Sequence, residues 1–140
     1  MTKYLLDTDI WVSYLKNQHS IQEKVTSCGP DNCFVSEISI AELLFGAHNS
    51  GNYERHKEDH LKVLSVAKLL RIVESLDLYG KEKARLRSEG NLIAEFDLLI
   101  ATSAVFHGYT LVTNNTKHMT RIENIRLENW TLVGDNGFVN

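Results

Sequence analysis

Proline occurs once in the 140 residues, cysteine twice, and basic residues hold no majority. With one proline and no repeat or biased stretch, the chain offers no linker or low-complexity segment, so it reads as a single domain over 1–140 with a core about 3–133. Cys28 and Cys33 flank Gly29-Pro30-Asp31-Asn32. Two cysteines are too few for a disulfide framework, and no further Cys or His lies at compact zinc spacing, so they read as ordinary thiols. No apolar run approaches the roughly 20 residues that cross a bilayer. The opening Met1-Thr2-Lys3-Tyr4-Leu5-Leu6-Asp7 lacks the small-residue cleavage site of a secretory signal, so the expectation is a cytoplasmic chain without membrane contact. The net charge is −3. A nucleic-acid binder usually carries a basic excess, so any polyanion site here must be a local patch.

What is present alternates. Residues 3–6 form a short apolar run that stops at Asp7, and Ile10, Trp11, Tyr14 and Leu15 then recur at helical spacing. Residues 29–32 mark a turn. Cys33-Phe34-Val35 reads as a buried strand, and Ser36 or Ser39 can cap an apolar helix running to Gly46. The pattern predicts one long helix over 52–70, a short strand at Arg71-Ile72-Val73 and a charged helix over 77–89 ended by Gly90. It predicts a further helix from Glu95 to His107, a strand at Thr110–Thr113 and a last strand at Thr131–Val133. Short apolar strands alternating with helices imply an α/β fold, a parallel sheet covered on both faces. In such sheets sites form beyond the carboxyl ends of the strands, where Asp7 and Asn115 fall.

Glu42 lies inside Ile38-Ser39-Ile40-Ala41-Glu42-Leu43-Leu44-Phe45, so its carboxylate is expected to be largely buried. Asp97 heads a stripe with Ile100, Ala101 and Ala104 three, four and seven positions on. A buried charge needs protonation, a basic partner or a metal. Taken singly, Asp7 or Asp9 can cap the first helix, Asp97 can favour a helix N-terminus, and Glu42 can pair with a buried Arg. Taken together, carboxylates about 4 Å apart repel by about 4 kcal/mol per pair at an effective dielectric near 20, and a divalent cation removes that penalty. All-oxygen ligands suit Mg2+, or Mn2+, better than zinc. Magnesium keeps bound waters, and a water beside a polarised phosphate is the outline of phosphodiester cleavage.

At these residues the sequence resembles the PIN-domain ribonucleases, in particular VapC-type toxins of bacterial toxin–antitoxin pairs. Tyr4-Leu5-Leu6-Asp7-Thr8-Asp9-Ile10 is similar to the first motif, with Asp7 at its invariant acid. The run from Ser36 to Gly46 resembles the second, with Glu42 at its metal-binding Glu, and the run from Gly90 to Ala101 the third, with Asp97 at its Asp. Leu111-Val112-Thr113-Asn114-Asn115 and Leu127-Glu128-Asn129-Trp130 resemble the closing region, so the likeness runs from about residue 4 to 133. Many PIN domains carry a fourth acid where this chain has Asn115, which brings no charge and puts a tight second metal in doubt.

The resemblance implies a five-stranded parallel sheet flanked by helices, usually in a homodimer. It implies a VapB-like antitoxin as partner and a structured RNA, a tRNA, as substrate, hydrolysed so that translation stops until the antitoxin neutralises the toxin. On this reading Asp7 and Asp97 bind Mg2+, Glu42 binds it directly or through water, and Thr8, Thr113 and Asn115 orient that shell. RNA would be held by Lys117, His118 and Arg121 beside the Asn115 loop, or by Lys81, Lys83, Arg85 and Arg87 on the charged helix. His56 and His60 stand one helical turn apart but lack a third zinc ligand, so they read as a polar helix face.

Three other readings stand beside this one. A haloacid-dehalogenase-like phosphatase would use Asp9 as acid/base, but its later motifs are not visible. A signalling receiver would need a phosphoacceptor Asp after a middle strand, whereas Asp59 falls inside the expected helix. A PIN-like domain could also serve mainly as a DNA-binding partner of its antitoxin.

Overall fold

The computed structural model describes residues 1–132. Five strands run parallel in the order β3-β2-β1-β4-β5: β1 Tyr4–Leu6, β2 Cys33–Ser36, β3 Lys68–Leu70, β4 Thr110–Val112 and β5 Leu127–Glu128. The helices are α1 Thr8–Leu15, α2 Ile21–Cys28, α3 Glu37–Asn49, α4 Tyr53–His56, α5 Asp59–Leu64, α6 Leu76–Ser88, α7 Glu95–His107 and α8 Thr116–Met119. The expected five-stranded parallel sheet between helices is the architecture found.

Strand alternation builds the two cores. In a strand, successive side chains point to opposite faces. Leu6, Val35 and Val112 therefore join Ile10, Trp11, Ile21 and Val63 on one side of the sheet. Their neighbours Leu5, Phe34 and Leu111 join Leu86, Leu98, Ile100 and Ala104 on the other. The register locks this division, because Leu6 aligns with both Val35 and Val112, and Leu5 with both Phe34 and Leu111. A slip by one residue would exchange the two faces of a strand.

Three expected elements are corrected. The long helix over 52–70 is broken into α4 and α5 and ends in β3, because the first half has no buried residue to hold it against the sheet. The break at Lys57-Glu58 puts His56 and His60 on different helices, and His56 Nδ1 bonds Asp59 Oδ2 at 2.9 Å instead. The third strand lies at Lys68–Leu70 rather than 71–73, since Leu70 is the residue that reaches the core, while Val73 is exposed in a 3-10 turn over Val73–Ser75. The last strand is Leu127–Glu128. It stops because Asn129 Oδ1 accepts from the Thr131 backbone N–H (2.9 Å) and hydroxyl (2.6 Å), which turns the chain. Val133 lies outside the described residues.

Candidate active site

Asp7 directly follows β1 and is the N-cap of α1. Its extended backbone (φ −65°, ψ 162°) brings Oδ1 within 2.8 Å of the Thr8 N–H, which it accepts. The Asp7 N–H is held by the Val112 carbonyl at 2.8 Å, so β1 and β4 fix the carboxylate from the backbone. Thr113, directly after β4 and fully buried, donates its hydroxyl to Asp7 Oδ2 at 2.9 Å. The same hydroxyl oxygen accepts the Asn115 N–H at 3.0 Å, and Asn115 Nδ2 donates to Asp97 Oδ2 at 3.0 Å. On the other side, Thr8 donates its hydroxyl to Glu42 Oε1 at 2.6 Å, with Ser39 Oγ 2.8 Å from the same Thr8 oxygen. One unbroken line of hydrogen bonds thus runs Asp97–Asn115–Thr113–Asp7–Thr8–Glu42, joining the ends of β1 and β4 to α1, α3 and α7.

Every donor in that line is neutral. Among the described residues, none of the three carboxylates is in an ion pair. The electrostatics follow. Burial pushes the Asp7 carboxyl up to about 6, against the relief of its two donors, with Asp97 and Asp9 adding repulsion. Glu42 is also raised, first by burial and then by Asp97 and Asp9. Asp97 is raised by burial and by Asp9, and is eased by Asn115 and His118.

Glu42 is half-buried, at the margin of the core and not inside it. The buried stripe of α3 is Ser39, Leu43 and Ala47, and Glu42 sits at its edge, while Phe45 is 68% exposed.

No three His, Cys, Asp or Glu side chains among the described residues form a ready-made metal cage. Magnesium does not require one, since it keeps several waters and is held through one or two carboxylates. The donor set, all oxygen and in no ion pair among the described residues, suits that ion.

The remaining candidates separate into two groups. Lys117 and His118 lie exposed on α8, directly after Asn115. Arg121 holds the Asn91 and Leu92 carbonyls at 3.4 and 3.1 Å, which ties down the loop before α7. On α6, Lys83 pairs with Glu95 at 2.9 Å. Arg85 is bound at 2.8 Å to buried Glu82 and to Glu89, and donates to the Arg121 carbonyl at 2.9 Å. It serves as a strut. Lys81 and Arg87 make no ion pair among the described residues. Two residues near the acids carry a signal that the sequence alone left weak. Asp9 raises all three carboxyls, and its signal is its position two residues after Asp7. Ser39 reads in sequence only as a cap, and only the fold brings it to Thr8.

Helices on both faces of a parallel sheet, with carboxylates gathered beyond its strand ends, are the layout in which α/β proteins build ligand sites. The PIN domain family model matches residues 4–124. Ribonuclease VapC2 of Rickettsia felis is 35% identical over 131 residues, covering 91% of this chain and 97% of that protein. The tRNA(fMet)-specific endonuclease VapC of Shigella flexneri is 28% identical over 132 residues, covering 94% and 100%. The structure of VapBC2 from Rickettsia felis bound to a DNA fragment from their promoter superposes with a TM-score of 0.84 at 32% identity, covering 92% of this chain and 99% of that one. The chain belongs to the PIN-domain family, within its VapC branch.

Proposed function

We propose that the chain is the endoribonuclease toxin of a type II toxin–antitoxin pair, a Mg2+-dependent hydrolase of phosphodiester bonds in structured RNA. The observation that carries this reading is the line of neutral donors joining three carboxylates that have no ion-pair partner among the described residues. A relative named as tRNA(fMet)-specific makes tRNA the favoured substrate class, and cutting it would stop translation until an antitoxin occupies the toxin.

Asp7 and Asp97 would hold the ion, with Glu42 directly or through water. Bound there, Mg2+ supplies Lewis-acid polarisation of the scissile phosphate and a more acidic water. Glu42, half-buried and with a raised pKa, is suited to accept the proton of the attacking water. Thr113 fixes Asp7, Asn115 fixes Asp97 and Thr8 fixes Glu42, so each carboxylate is aimed before substrate arrives. The test is expression of the wild type and of Asp7→Asn, followed by mapping of new RNA 5′ ends. A discrete tRNA cut with the wild type alone supports the reading; identical 5′ ends in both overturn it.

A second reading is supported by the Rickettsia felis complex, which binds promoter DNA. In it the chain also joins its antitoxin on operator DNA.

A further inference from the structure

Between α1, α3 and the α4–α5 segment lies a cleft of about 540 Å³ that opens at Thr8 and Glu42. Its floor is aliphatic, and its walls bring Lys16, Arg55 and Lys62 towards one another from three separate elements: the end of α1, α4 and α5. Lys16 and Arg55 are exposed and make no ion pair among the described residues. Asp59, the one acid on these walls besides Glu42, is already engaged by His56 at 2.9 Å and Lys62 at 3.5 Å. In a chain of net charge −3 this is a local cationic lining, and it is continuous with the carboxylate site.

We propose that this cleft is the track for the phosphate backbone of the substrate RNA on one side of the bond that is cut, with Lys16 and Arg55 as its phosphate contacts and Lys62 in support. The inference rests on the ribonuclease reading. Its logic is charge and continuity. Beyond the one phosphate that an ion on the carboxylates would receive, the acids repel a polyanion, so its flanking phosphates must be held by cations that begin where the acids end. The cleft provides that change of sign within one groove. Its floor is aliphatic, and among the described residues His56 is the one ring in the lining, already bonded to Asp59, so the grip is chiefly on the backbone.

The experiment uses the full chain carrying Asp7→Asn, which keeps bound RNA intact, and unfractionated bacterial tRNA as the probe. Affinity is measured across a salt series for this parent, for Lys16→Gln and Arg55→Gln added singly and together, and for Lys68→Gln at the opposite end of the sheet as a charge-matched control. Each cleft substitution is expected to weaken binding five- to tenfold and the pair more. The slope of log affinity against log salt should flatten by about 0.7–0.9 for each phosphate no longer neutralised. Lys68→Gln should change neither. Unchanged affinity and slope in the double variant overturn the track while leaving the ribonuclease reading intact. If the double variant keeps tRNA but no longer co-purifies with its co-expressed antitoxin, the cleft holds the protein partner and the track is likewise overturned. A parent that binds no tRNA, with a wild type that cuts none, overturns both.

Discussion

Asp7 is 4% exposed, accepts hydrogen bonds only from neutral donors and faces other acids, so its ionised form is unwelcome in the folded chain. A rise from the ordinary 3.8 to about 6 corresponds to about 3 kcal/mol. The sign follows from the raised value. Below 3.8 the group is protonated folded or unfolded and costs nothing; above about 6 the whole cost is present. In chelator, the wild type should gain stability as pH falls from 7 to 5, and Asp7→Asn should melt higher at pH 7 with a flatter pH profile. The same substitution should abolish cleavage. Added Mg2+ should raise the wild-type melting temperature and leave the variant's unmoved; thermal melts with and without the ion check these stability points.

Asn115 makes a second case at this scale. Asn115→Asp removes the donor to Asp97 Oδ2 and sets a fourth carboxylate about 3.0 Å from it. The ion-free protein should lose about 1–3 kcal/mol, read from denaturant unfolding, and its stability should depend more steeply on Mg2+ concentration.

The helices show where sequence is a sufficient guide and where it is not. Ser36 caps α3 by accepting the Ile38 N–H at 3.1 Å, a role legible from its position before an apolar run. Ser36→Ala should cost about 1 kcal/mol in equilibrium unfolding. Gly90 and Gly108, at φ +68° and +72°, end their helices as their positions predict. Over 52–70 the spacing of Leu61, Leu64 and Ala67 suggests one helical face, yet in the fold Leu61 is exposed and Val63 is buried. Arg85 is a candidate RNA contact in sequence because its charge is visible there; Glu82 and Glu89 lie within one helical turn of it, but the burial of Glu82 and the approach of Glu123 come only with the fold. Arg85→Ala would strand buried Glu82, so we expect a loss of about 1–3 kcal/mol in stability with tRNA affinity unchanged. A large affinity loss in a normally stable variant would return Arg85 to the binding surface.

At the scale of the whole molecule, the three acids are legible because each interrupts an apolar run or follows a strand, where water-loving groups need a reason. Their mutual geometry is not, since Asp7, Glu42 and Asp97 are brought together only by the pairing of β1 with both β2 and β4. Leu5 and Leu6 feed opposite cores from that central strand. Leu5→Ala and Leu6→Ala should therefore each destabilise by about 2–5 kcal/mol, and both should dim the carboxylate site's response to Mg2+.

Asp7, Glu42 and Asp97 stand at the end of β1 and on two long helices, whereas the outer wall of the cleft beside them is α4 and α5, four and six residues long. On the proposed track, Arg55 and Lys62 belong to a short stretch of chain that holds none of the three acids, while Lys16 stays at the end of α1. Reversing the charge of Arg55 and Lys62, with buried Val63 kept, would then change how tightly RNA is held while leaving the three acids untouched.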